Sequence, residues 1–85
     1  MIAFDYTIQD PLGLHARPAG KFVKSAQECS SKVSVTLGGK TVDAKRLFGV
    51  MSLCAKKSDD ITVQVEGEKE ASDSENLKKV CEETL

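Results

Sequence analysis

Val33-Ser-Val-Thr-Leu-Gly-Gly-Lys-Thr-Val-Asp43 reads as two strands joined across Gly38-Gly39. Val33, Val35 and Leu37 alternate with Ser34 and Thr36, the two-residue period of a strand with one buried face. Two such runs across a glycine pair form a hairpin, which makes the pairing antiparallel. Upstream, Ile2, Phe4, Tyr6 and Ile8 alternate with Ala3, Asp5 and Thr7. Downstream, Ile61, Val63 and Val65 alternate with Thr62, Gln64 and Glu66, and this strand ends at Gly67. Every strand therefore keeps one wet face.

Helical spacing fills the intervals. Ala16, Ala19, Gly20, Val23 and Ala26 fall three or four apart and predict a helix to about Gln27 with one inward stripe. Leu47, Val50, Met51 and Cys54 predict a short second helix from about Arg46 to Leu53. Cys54 reads here as a small buried residue. From Lys69, Leu77, Val80, Cys81 and Thr84 mark a third helix with a polar first half. The order is βαββαβα. With one wet face per strand, the helices pack on one side of the sheet, giving a two-layer α+β open-faced sandwich. Residues 1–85 are expected to form one domain, because 85 residues leave no room for a second core.

Composition excludes several classes of function. The net charge of −1 argues against nucleic-acid binding. No apolar run approaches the roughly 20 residues of a membrane span, and the N-terminus lacks the basic region of a signal peptide. Cys29, Cys54 and Cys81 are too widely and irregularly spaced for a disulfide framework or a zinc motif, so reduced thiols in a cytoplasm are expected. With one histidine in the chain, no metal site and no cofactor are expected.

That histidine lies in Pro11-Leu-Gly-Leu-His-Ala-Arg-Pro18, at the loop–helix junction. As the cap of a helix starting at Ala16, His15 would leave the N–H groups of Ala16 and Arg17 without intrahelical partners. Pro18 has no N–H to satisfy, and its fixed φ suits a first turn. The positive end of the helix dipole favours an attached phosphate dianion, and the planar fork of Arg17 matches phosphate oxygens. The same residues also suit a plain capped surface helix. No general base is read beside His15, and no cleft-sized core is expected, so a self-contained enzyme is disfavoured.

Gly13-Leu-His-Ala-Arg-Pro-Ala19 resembles the phosphohistidine signature of the HPr family, the histidine-containing phosphocarriers of the bacterial phosphoenolpyruvate:sugar phosphotransferase system. Lys45-Arg-Leu-Phe-Gly-Val-Met-Ser-Leu53 resembles that family's second-helix segment, and Glu66-Gly67 falls where its last strand ends. The resemblance implies strand order 1-4-2-3 and a monomeric cytoplasmic protein. It implies that His15 accepts a phosphoryl group, at Nδ1 by family chemistry, from phospho-Enzyme I and passes it to IIA domains of sugar permeases. Arg17 would be the phosphate partner, and the Ala16 and Arg17 amides the backbone donors. Other readings of the same fold are a regulatory protein-binding module and a nitrogen-branch phosphocarrier.

Two departures from the family stand out. Gram-positive relatives commonly carry a regulatory serine, phosphorylated by HPr kinase, at the position of Arg46, so no serine switch is expected there. Cys54 stands where a glycine is usual. A docking surface is expected from Leu47, Phe48 and Met51, with Phe48 departing furthest from the inward stripe. Lys24, Lys45 and Arg46, with Arg17 and Lys21, are candidates for its basic rim. Lys21 and Lys24 serve equally well as solubilising charges.

Overall fold

The computed structural model describes residues 1–85. Its elements are β1 (Ile2–Thr7), α1 (Ala16–Glu28), β2 (Lys32–Leu37), β3 (Lys40–Asp43), α2 (Leu47–Met51), β4 (Asp60–Glu66) and α3 (Glu70–Thr84). The four strands form one antiparallel sheet in the order β1-β4-β2-β3. Gly38 takes φ +61 at the β2–β3 turn, a left-handed conformation that glycine adopts without a Cβ penalty.

The alternation that defined the strands also sets the two faces of the sheet. Val33, Val35, Ile61, Val63 and Val65, on the two central strands, are buried. Phe4, Tyr6 and Val42 belong to the edge strands and are only partly covered against the same core. The opposite face is polar and cross-linked between registered neighbours. Thr62 Oγ1 donates to Asp5 Oδ1 at 2.7 Å, Thr36 and Thr41 share a hydroxyl contact at 2.8 Å, and Ser34 Oγ donates to Gln64 Oε1 at 3.4 Å. Such cross-strand pairs stabilise a sheet much as i,i+4 pairs stabilise a helix.

The inward stripe of α1 differs from the predicted one. Ala16 is exposed and Gly20 half-buried, whereas Phe22 is 1% exposed and is among the largest fully buried side chains. The stripe runs Pro18, Ala19, Phe22, Val23, Ala26. Ala19, Val23 and Ala26 of the expected stripe are buried, but the inward face begins at Pro18, leaving the first two helical residues, Ala16 and Arg17, exposed. α2 is also shorter than its predicted span from Arg46 to Leu53. Val50 is its one buried residue, and Leu47 is exposed rather than inward. The chain leaves the helix through Cys54, at φ +53, with its N–H on the Met51 carbonyl. A left-handed residue after a helix turns the side chain off the helical face. Cys54 is therefore exposed, not buried as its spacing predicted, and Leu53 and Ala55 fill the core instead.

α3 begins at Glu70. Leu77 and Cys81 are buried as the period predicts, while its polar first half is anchored by a carboxylate. Asp73 Oδ2 accepts from Ser31 Oγ at 2.6 Å and from the Ser31 N–H at 3.2 Å. Both groups are buried, so each satisfies the other's desolvated polar atoms. Further along, the Leu85 carbonyl oxygen accepts the N–H groups of Gln9 and Asp10, at 2.7 and 2.9 Å. No helix is long and apolar enough to cross a membrane.

Two stability measurements check this packing. Phe22→Ala should cost about 3–5 kcal/mol in urea unfolding, the usual cost of emptying a buried aromatic site. Burial pushes the Cys81 thiol up to about 12 from 9.0. The unfolded chain then ionises at lower pH than the folded one. Stability should be level below pH 9 and fall as pH rises from about 9 to 12, at up to about 1.4 kcal/mol per pH unit. Cys81→Ala should remove the Cys81 share of the alkaline slope, while Tyr6 and Cys29, both raised chiefly by burial, keep a residual slope of the same sign.

Candidate functional site

The approach to α1 is built on Gly13. It sits at φ +71, and a Cβ there would lie 2.6 Å from the Ala55 carbonyl oxygen and 2.9 Å from Lys56 Cα. Only a glycine allows both the left-handed backbone and this approach. The Ala55 carbonyl then accepts the Leu14 N–H at 2.8 Å, and the Gly13 N–H reaches back to the Asp10 carbonyl at 2.8 Å. The loop is thus pinned to the segment that leaves α2. Leu14 is buried beneath it.

His15 follows as the N-cap, with extended backbone (φ −100, ψ 179) and no capping bond from its side chain. Its carbonyl starts the helix by accepting the Ala19 N–H at 3.0 Å. The N–H groups of Ala16 and Arg17 donate to no group of the chain, and Pro18 has none to offer. Two backbone donors at the positive end of a 13-residue helix are therefore free beside the imidazole. Arg17 is exposed, and its guanidinium makes no ion pair or hydrogen bond within the chain. His15 and Arg17 line one open depression of about 310 Å³, together with Asp10, Leu12, Lys21 and Glu83.

Sequence reasoning missed Asp10. Its Oδ2 lies 3.5 Å from His15 Nε2, so an acidic group does stand beside the histidine. The carboxylate is held in place because its other oxygen, Oδ1, accepts the Leu12 N–H at 2.9 Å. An aspartate five residues upstream of a histidine has no helical or strand period to reveal it. The signal was available in the Asp-Pro-Leu-Gly turn, where Asx side chains commonly fold back on the backbone two residues on. With Asp10 at Nε2, Nδ1 is the ring nitrogen without a carboxylate partner. No three His, Cys, Asp or Glu side chains converge closely enough to share a metal ion.

The expected docking residues divide into two groups. Phe48 is 87% exposed and Leu47 36%, while Met51 is half-buried against the core. Leu12, on the His15 loop, adds another exposed apolar side chain at 77%. Lys24 is free on α1. Arg46 caps α2 with Nε 3.9 Å from Asp43, a loose and highly exposed pair. Lys45 is different. Its Nζ donates to the Cys29 carbonyl at 3.1 Å, at the C-terminus of α1, and its own carbonyl accepts from Gln27 Nε2 at 2.9 Å. A cation there satisfies the negative end of the helix.

The chain matches a family profile described as the PTS HPr component phosphorylation site over residues 2–83. It is 40% identical over 77 residues to the phosphocarrier protein HPr of Haemophilus influenzae, covering 91% of each chain. Its fold is similar to that of a histidine-containing phosphocarrier protein of a mycoplasma, with a TM-score of 0.94 at 30% identity over 98% of this chain and 94% of that one. It is equally similar to HPr of Thermoanaerobacter tengcongensis, with a TM-score of 0.93 at 33% identity over 99% and 94%.

Gly13→Ala tests the loop. The strained φ and the Ala55 contact should cost about 1–3 kcal/mol in denaturant unfolding, whereas Gly20→Ala, with open space around the added Cβ, should be neutral or stabilising.

Proposed function

This chain belongs to the HPr family of phosphotransferase-system phosphocarriers, and we propose that His15 accepts a phosphoryl group from phospho-Enzyme I and delivers it to IIA domains of sugar permeases. The single observation that carries this reading is the free donor set around the imidazole. The amides of Ala16 and Arg17 and the Arg17 guanidinium have no partner in the chain, and they flank the same ring. Unpaired donors at a helix N-terminus suit a phosphate dianion. A planar guanidinium adds charge-assisted bonds to its oxygens.

The chemistry is a displacement at phosphorus. The Nδ1 lone pair forms the new N–P bond as the donor's bond to phosphorus breaks, and the electron pair leaves with the donor. Transfer of this kind depends on positioning and charge stabilisation. His15 is half-exposed in an open depression, so two different proteins can present donor and acceptor groups to it in turn. The protein acts as a reversible covalent carrier rather than a stand-alone catalyst, working in the cytoplasm. Leu47, Phe48 and Met51 form the apolar part of the docking surface, and Arg17, Lys24 and Arg46 its basic rim. Lys45 contributes by fixing the end of α1 against the segment that precedes α2. An arginine at position 46 removes the serine switch of Gram-positive relatives.

Incubation with Enzyme I and phosphoenolpyruvate, followed by intact mass at alkaline pH, tests this. The wild type should gain one acid-labile phosphate and His15→Ala none. Arg17→Ala should slow uptake about tenfold with the fold intact, the effect of losing a charge-assisted donor. A wild type that gains no phosphate overturns the reading.

A further inference from the structure

We infer that Asp10 is a positioning residue for His15: it holds the ring proton on Nε2, keeps Nδ1 bare for attack, and faces the positive charge that the ring acquires on phosphorylation. The carboxylate has two partners in the chain, His15 Nε2 at 3.5 Å and the Leu12 N–H at 2.9 Å. The second fixes the first. With Oδ1 committed to the backbone, Oδ2 is the oxygen directed at the imidazole. The Asp10 carbonyl is held as well, by the Gly13 N–H at 2.8 Å, and its N–H by the Leu85 carbonyl oxygen at 2.9 Å. The aspartate is therefore tied at its N–H, its carbonyl and one carboxylate oxygen, leaving the other to act on the ring.

Carboxylate-only acceptors select a tautomer. Oδ2 can accept a hydrogen bond but cannot donate one, so it favours the ring with hydrogen on Nε2. A 3.5 Å separation is longer than the roughly 2.9 Å of a formed N–H···O bond. It shortens when charge develops, as such contacts do on passing from the resting to the reacting state. When Nδ1 forms the N–P bond and the donor's bond to phosphorus breaks, the Nε2 proton stays on the ring. The phosphorylated ring is then an imidazolium, and Asp10 stands opposite the resulting charge. The other charged groups lining the depression are Arg17, Lys21 and Glu83, and none of them pairs with Asp10. The effect on rate rests on the carrier function proposed above, whereas the effect on the tautomer does not.

Asn and Ala at this position give opposite signatures. In Asp10→Asn the amide oxygen keeps the Leu12 bond, which directs the Nδ2 donor at the ring. A donor there favours bare Nε2 and moves the proton to Nδ1, the wrong tautomer for attack, as the same exchange does in the Ser-His-Asp triad. Asp10→Ala loses the loop bond and the charge but imposes no wrong tautomer. The chain has a single histidine, so its ring gives one set of signals in two-bond proton–nitrogen correlation spectra. At about pH 8.5, where imidazole is neutral, the wild type should show hydrogen on Nε2. The Asn variant should show it mainly on Nδ1, and the Ala variant should keep it on Nε2. Phosphoryl uptake from phospho-Enzyme I should fall about tenfold in the Asn variant and only about threefold in the Ala variant, in keeping with tautomer control. An Asn variant with the wild-type tautomer or rate overturns the role of Asp10. So does an Ala variant slower than Asn, which would make Asp10 only a loop fastener. If the wild type itself takes up no phosphate, the carrier reading fails while the tautomer result still decides the role of Asp10.

Discussion

The contact between Gly13 and the backbone at Ala55 is the constraint on which the rest of the site depends. Without a Cβ, the His15 loop closes onto the segment leaving α2, and the Ala55 carbonyl receives the Leu14 N–H. That single junction sets where α1 begins. It leaves His15 as the cap, places the free amides of Ala16 and Arg17 next to its ring, and turns Leu14 into the core. A side chain at position 13 would push the loop away from the segment leaving α2 and break the junction that seats His15 at the start of α1.

The sheet layer was legible because its signal is local. A strand with one buried face must alternate, and β2, β3 and β4 do so in register with their partners. The strand order was reached through the family resemblance, since alternation alone does not say which strand lies in the middle. The helices were harder. Phe22 escaped the α1 stripe because small residues also fit the period, and the period alone does not show that the buried face begins at Pro18 rather than at Ala16. Cys54 fitted the helical period of α2, yet the helix stops at Met51 and the chain turns through a left-handed residue. Periodicity reports the face of a helix that continues; it cannot see where the helix ends.

The site was legible in part for a similar reason. His15, Arg17 and Pro18 are consecutive with the helix start, so the free-donor geometry follows from the sequence. Asp10 reaches the ring across a turn, and its position depends on hydrogen bonds to Leu12, Gly13 and Leu85 that no spacing rule encodes. Lys45 shows the converse. Its charge and its place next to Arg46 suggest a docking cation, but its ammonium is spent on the C-terminus of α1. The end of α1 and the segment that precedes α2 are thereby joined by two hydrogen bonds as well as by the packing of the two helices.

The bonds from the Gln9 and Asp10 amides to Leu85 give α3 a reach beyond its own packing. The far end of that helix is an abutment for the aspartate beside the histidine. Its other end is fixed by Asp73 on Ser31, so the helix spans from the connection that precedes β2 to the loop that follows β1. Two of the bonds that fix the backbone at Gln9 and Asp10 therefore come from the end of α3 rather than from the loop itself. The backbone that carries the Asp10 carboxylate is thus held from outside its own loop, by a helix whose last turn also lines the depression beside the imidazole.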